Sequence, residues 1–322
     1  MKRSKKINLI VLLILLFISF ILLFCDLFFR DKNKTYQISV IASGKSDESF
    51  MILKEGAEQA ALEMNANIRF IFLSKDNDEK EQIELIKRES NNEVDALLIC
   101  PIESEGVFDV IEEAKSKVPV VLIQSLMKTK SITNKVICNE YQLGEILAEE
   151  TLKNINKNDN IMIVSSNCNS TINDERYKGI LNILENNKNY YLISGEGNYK
   201  NYKEFYNVIK NNDIKAIICL DRNITEKVAE LKKEIISKNN IDNILLFGVG
   251  NTNKIISLLE EEIINATAVQ NEFNIGYIAV KNSIALNNGE KVDEIQKIKS
   301  TVIASNDMYS SKNERILFQF VR

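Results

Sequence analysis

From Tyr36 onward the chain alternates short apolar runs with stretches whose apolar positions recur every three to four residues. YQISVIAS is followed by MILKEGAEQAALEM, NIRFIFL by KEQIELIKRES and VDALLIC by EGVFDVIEEAKSK, and VPVVLIQ ends the first series. After YQLGEILAEETLKN a second series begins. NIMIVSS precedes DERYKGILNILENN, YYLISGE precedes KEFYNVIKNN, and IKAIICL precedes ITEKVAELKKEIISKN; then NILLFGV precedes KIISLLEEE and INATAVQ precedes EFNIGYIAVKNSIALNNG. The short runs are continuous Val/Ile/Leu rather than alternating, as strands buried on both faces must be. Such strands separated by amphipathic helices predict βαβ units and parallel sheets. Two similar sheets of about 130 residues each suit domain sizes better than one sheet of ten or more strands. No long Pro/Gly/Ser linker separates the two series, which predicts lobes joined by several short crossings. Pro101 and Pro119, the only prolines, fall at a strand end and a strand start, where a missing N–H costs least.

The first residues break this pattern. MKRSKK is followed by a run from Leu9 to Cys25 that is apolar except for Ser19, with Leu27, Phe28 and Phe29 beyond Asp26. A helix of about 20 residues spans ~30 Å, the thickness of a bilayer core. Lys2, Arg3, Lys5 and Lys6 precede the span and mixed charges follow it, which keeps the N-terminus cytoplasmic and sends the rest outside the cell membrane. A cleaved signal would need small residues before its cut, and a lipidated Cys25 would need one before the cysteine, where Phe24 stands. The segment therefore reads as an uncleaved anchor, with residues 1–34 forming the cytoplasmic tip and membrane helix.

Composition narrows the chemistry. The net charge of −4 comes without a basic stripe and Trp is absent, so nucleic acid is a poor partner. There is no His, which removes the commonest general base, metal ligand and neutral-pH switch. The five cysteines show no C-x-x-C spacing. Neither a metal site nor a cofactor is expected, and no Ser–His or Cys–His triad can be built, so the chain reads as a binding protein rather than an enzyme. With Asp, Glu, Arg and amides alone in a site, affinity is expected to be nearly flat between about pH 6 and 8.

Two glycine fragments invite a nucleotide reading. SGKSDESF follows an apolar run, but a phosphate loop needs another glycine five residues before Gly44, and Ser39 is there; Asp47 and Glu48 would also repel a polyanion. GVGNT lacks the third glycine of a dinucleotide fingerprint, since Asn253 occupies its place. Both are better read as strand ends, and ligands gather beyond the carboxyl ends of strands in open α/β sheets.

The order of SF before EGAEQAA, then VDALLICPIES, VPVVLIQS, NEYQLGEILAEE, NDERYKG, IKAIICLDRN, LLFGVGNT and NATAVQNEFNIGYIAV resembles the type I periplasmic binding proteins of the ribose/galactose kind. The resemblance runs from Tyr36 to about Asn313. It implies an α/β fold of two Rossmann-like lobes after the membrane helix. Residues 35–139 plus about 272–297 would form the N-terminal lobe, and residues 140–271 plus about 298–322 the C-terminal lobe. It also implies ligand positions. Asp47 and Phe50 match the polar and aromatic members of the family's first loop, although an N-cap role competes for Asp47. Asn139 and Glu140 begin the turn where the family has Asp-Asn-Tyr-x-x-Gly. Arg176 matches the sugar-contacting arginine, whose planar fork can hold two oxygens. Asp221 stands where an Asn is usual, Gly250 where an Asp is usual with Asn251 beside it, and Gln270 matches the hinge glutamine. Tyr199 or Tyr202 would supply a second stacking wall. The acids have moved rather than vanished, which points towards an amine-bearing or otherwise altered polyol.

The implied function is that of an extracytoplasmic, membrane-anchored monomer that binds a sugar-like ligand and hands it to an ABC permease. The alternative is a ligand-sensing accessory of a membrane sensor kinase. A LacI-type repressor would share the fold but needs a DNA-binding head where this chain has an apolar run.

Overall fold

The computed structural model describes residues 14, 16–20, 34–127, 134–165, 171–184, 189–194, 202–239 and 244–318. Of the expected membrane span only Ile14 and residues 16–20 are described, as helix, and the remainder lies outside the described residues. Among the described residues no helix is long and apolar enough to cross a membrane.

The first series folds as β1 (Tyr36–Ile41), α1 (Glu48–Glu63), β2 (Ala66–Ile71), α2 (Glu79–Ser90), β3 (Ala96–Ile99), α3 (Glu105–Lys115), β4 (Val120–Ile123) and β5 (Asn134–Cys138). The second comprises α4 (Glu140–Lys153), β6 (Asn160–Ser165), α5 (Thr171–Leu184), β7 (Tyr190–Ser194), α6 (Tyr202–Asn211), β8 (Ile214–Cys219) and α7 (Arg222–Asn239). It continues through β9 (Leu245–Val249), α8 (Asn253–Glu260), β10 (Ala266–Val269), α9 (Glu272–Asn287), β11 (Ile295–Ile298), β12 (Thr301–Ala304) and α10 (Ser311–Leu317).

These strands form two six-stranded sheets of matching order, β11-β5-β4-β3-β1-β2 and β12-β10-β9-β8-β6-β7. All strand pairs of the first are parallel, whereas β12 runs antiparallel to β10 in the second. The central strands are buried along their length: Ala96 to Ile99 and Val120 to Ile123 are four consecutive buried residues each. Continuous apolar runs are thus explained by helices covering both faces.

The lobes exchange helices. The helix α4 leaves the first sheet but packs on the second, against α5; α9 leaves the second sheet but packs on the first, against α1. Both helix pairs cross backbone to backbone. A Cβ on Gly144 would lie 2.0 Å from the Arg176 carbonyl oxygen, and one on Gly276 would lie 2.0 Å from that of Leu53. The chain accordingly passes between lobes three times, at Asn139, at Gln270–Asn271 and at Lys299–Ser300. Inner-face residues of both lobes, including Val40, Leu53, Leu98, Leu147, Ile163 and Ile218, share one apolar cluster.

Candidate ligand site between the lobes

Strand carboxyl ends from both sheets converge where the crossings lie. The α4 helix starts directly after β5, and Asn139 caps it, its Oδ1 accepting from the Gln142 N–H at 3.4 Å. The next residue, Glu140, is buried. Arg176 of α5 donates from Nε to Glu140 Oε2 at 2.6 Å and from Nη1 to the Leu220 carbonyl at 2.7 Å. Gln270, at the end of β10, donates to Glu140 Oε1 at 2.8 Å. The ends of β5, β8 and β10 are therefore tied to one carboxylate. An ion pair this far from water persists because charge-assisted hydrogen bonds replace the lost hydration.

The second exchanged helix repeats the first in sequence: residues 139–144 read NEYQLG and residues 271–276 read NEFNIG. Asn271 caps α9 as Asn139 caps α4, accepting from the Asn274 N–H at 3.1 Å. Glu272 is the counterpart of Glu140 and is 4% exposed. Among the described residues its Oε2 has no hydrogen-bond partner. Burial pushes this carboxyl up to about 8; its own backbone N–H and the Arg222 charge act the other way. The flat pH response expected between about pH 6 and 8 supposed unperturbed carboxylates, and Glu272 is not one.

Among the described residues the rim carries three links between the lobes. Asp47 is exposed and caps α1, its Oδ1 accepting from the Phe50 N–H at 2.8 Å, while its Oδ2 accepts from Arg222 Nη2 at 2.6 Å. Arg222 also donates to the Ser49 hydroxyl. Glu48 accepts from the Asn253 backbone N–H at 2.8 Å, and Thr171 donates to Glu103 at 2.8 Å. The capping role expected of Asp47 is therefore present, and the same side chain also pairs with Arg222 of the other lobe.

Among the other expected residues, Asp221 accepts from the Ile224 N–H at 3.0 Å and from Asn173 at 3.4 Å. Asn251 is 6% exposed and among the described residues its Nδ2 has no partner. The preceding Gly250 has φ +119°, a backbone region that a side chain would strain. Phe50 is half-buried within the first lobe, edge-on to Phe70 and Phe72 with ring centroids 6.2 and 4.9 Å away. Tyr199 lies outside the described residues. Glu272 was absent from the sequence-derived site, and Arg222 stood at a strand end without being named a ligand position. The repeated N-E-aromatic-x-aliphatic-G motif was the signal for Glu272.

The SGKS loop is held by a carboxylate, since the Lys45 N–H donates to Asp76 Oδ1 at 2.7 Å. Cys100 and Cys138 are buried free thiols, each pushed up to about 12, chiefly by burial. Neither is a nucleophile near neutral pH. Among the described residues no group of three His, Cys, Asp or Glu could hold a metal ion. A separate hollow of about 560 Å³, lined by Gln37, Ser39, Asn67, Arg69 and Glu93, lies at the opposite, amino ends of the first-lobe strands.

Two wound sheets, three crossings and a polar seam between them define a two-lobed ligand clamp. Residues 38–291 match the periplasmic binding protein domain, and the chain belongs to that family, in its type I form of the ribose/galactose kind. It is 23% identical over 267 residues to the ribose import binding protein RbsB of Bacillus subtilis (strain 168), covering 81% of this chain and 85% of that protein. Among solved structures it resembles a carbohydrate transporter solute-binding protein from Agrobacterium radiobacter in complex with D-arabinose. That likeness has a TM-score of 0.75 and 18% identity over 89% of this chain and all of the other. A chain of a mutant XylFII–LytSN complex matches with TM-score 0.67 and 22% identity over 85% of this chain and 99% of its own.

Proposed function

We propose that this protein is a membrane-anchored extracytoplasmic solute-binding protein that takes a sugar-like molecule between its lobes and delivers it to an ABC permease. The observation that carries this reading is the meeting of Glu140 at the start of α4, Arg176 of α5 and Gln270 at the end of β10, at the crossings of a binding-protein fold. Carboxylate, guanidinium and amide groups suit the edge hydroxyls of a polyol, and Phe50 offers an aromatic face. Asp47, Asn139, Asp221 and Asn251 complete the proposed lining; Tyr199, also expected there, lies outside the described residues. The ligand enters when the rim links part and is enclosed when they re-form, so that the loaded, closed surface differs from the empty one. The ligand leaves chemically unchanged. Support for a sugar comes from the ribose import relative and from the structural neighbour solved with D-arabinose.

The anchor reading rests on the apolar run at residues 9–25, whose described members Ile14, Leu16, Phe17, Ile18 and Phe20 expose their side chains. A sensing role beside a membrane kinase is the second reading. It is favoured by the shared fold with a chain solved in the two-protein XylFII–LytSN complex. Thermal unfolding of the full chain against pentoses, hexoses, sugar alcohols and amino sugars tests the binding role. A true ligand raises the melting temperature progressively with its concentration. No shift with any of them at millimolar concentration would refute it, and protease resistance of the lobes on intact cells would refute the extracytoplasmic placement.

A further inference from the structure

The lobes contain the same device twice, and only one copy is complete. In the second lobe the carboxylate after the cap, Glu140, is met by Arg176 and Gln270. The glycine contacts fix the equivalences. Gly144 approaches the Arg176 carbonyl as Gly276 approaches that of Leu53, so Leu53 occupies in the first lobe the place of Arg176. Gln270 stands two residues before Glu272, and Cys138 stands two before Glu140, so Cys138 takes the place of Gln270. Leu53 bears no donor, and the Cys138 thiol is engaged with the Ser300 hydroxyl at 2.9 Å. Glu272 has lost both partners yet remains buried at the lobe junction.

We propose that Glu272 contacts the ligand and makes the cleft select an amine-bearing polyol, its Oε2 receiving the ligand's ammonium while Asn251 Nδ2 donates to a ligand oxygen. The inference rests on the solute-binding reading and specifies its ligand class. Among the described residues both atoms are unpartnered, on side chains more than nine-tenths buried, one from each lobe. Arg222 connects them: its stem lies against the turn carrying Asn251, 3.1 Å from where a Gly250 Cβ would sit, and its charge reaches Glu272.

The charged groups facing Glu272 are Arg222, Arg176 and Glu140. Arg222 is already paired with Asp47 and Arg176 with Glu140, which among the described residues leaves one carboxyl without a counter-charge. A buried carboxylate without a partner is costly, so the empty site keeps its proton, consistent with a carboxyl pushed up to about 8. An ammonium supplies three donors and the missing positive charge. The exchange balances: a protonated Glu272 carboxyl and a cationic amine form an ion pair, and one proton leaves to solvent.

Isothermal titration of the full chain with matched pairs, D-glucosamine and D-glucose, D-galactosamine and D-galactose, aminosorbitol and sorbitol, tests this at about pH 6.5 in two buffers of different ionisation enthalpy. The amine of at least one pair should bind about tenfold or more tighter than its neutral mate and release about one proton. Glu272→Gln should abolish both the preference and the release. Asn251→Ala should weaken both members of the pair alike, which keeps the test open were the first variant to misfold. Neutral sugars binding as tightly as the amines, or a preference surviving in Glu272→Gln, overturns the inference and leaves the solute-binding reading intact. Failure of every sugar and polyol defeats both.

Discussion

Laid over one another, the two lobes differ less in architecture than in how each satisfies a single buried acid. Sheet order, exchanged helix, asparagine cap and glycine crossing are common to both. The second lobe supplies Glu140 with an arginine and a glutamine, whereas the first faces Glu272 with an aliphatic side chain and a thiol used elsewhere. Arg176 and Gln270 in one lobe and Leu53 and Cys138 in the other therefore separate a carboxylate whose bonds are met within the protein from one whose Oε2 has no partner among the described residues. A duplicated scaffold carries the fold, and the broken symmetry carries the specificity.

Making the second lobe like the first should have the largest effect. Arg176→Leu leaves Glu140 without its counter-charge, and breaking a buried pair in this way costs about 3–5 kcal/mol. Chemical denaturation should show this loss, and a change below about 1 kcal/mol would contradict the pairing.

Removing the unpaired acid is expected to flatten the stability profile of the wild type. Burial raises the folded-state pKa of Glu272 from 4.5 to about 8, so across that window the folded protein holds a proton that the unfolded chain has lost. Stability then falls as pH rises, by about 1.4 kcal/mol per unit and up to about 4 kcal/mol between roughly pH 5 and 8. Glu272→Gln should lack this slope, and equal slopes in both proteins would contradict the assignment.

The glycine crossings should respond equally in the two lobes. Gly144→Ala and Gly276→Ala place a methyl 2.0 Å from a carbonyl oxygen and should each cost about 1–3 kcal/mol in equilibrium unfolding, as overpacking does. A large effect in only one lobe would break the equivalence on which the comparison stands. Smallest of all is the rim: Asp47→Ala removes a partly exposed ion pair with Arg222, and its effect on unfolding should stay below about 1 kcal/mol.

Much of this was legible in the amino-acid order. Continuous Val/Ile/Leu runs separated by amphipathic stretches specify parallel strands under helices, because burial on both faces leaves no room for polar alternation. Glu140 and Gln270 were picked out at strand ends, where such sheets place polar side chains, and Arg176 by the family resemblance of NDERYKG. Glu272 was not, since the acid after a cap reads locally as a helix-dipole residue, and its isolation depends on Leu53 and Cys138, which are distant in sequence. Asp47 shows the opposite limit: its capping role is local and readable, but its pairing with Arg222 joins residues that only closure of the lobes brings together.

Amide hydrogen exchange on the full chain, with and without a saturating sugar or amino sugar, tests the central claim most directly. Bound ligand should slow exchange in both lobes at once, at residues 139–142, at residues 221–224 and at residues 271–275. Protection confined to one lobe, or centred on the hollow around Ser39 and Arg69 at the far end of the strands, would contradict a site between the lobes.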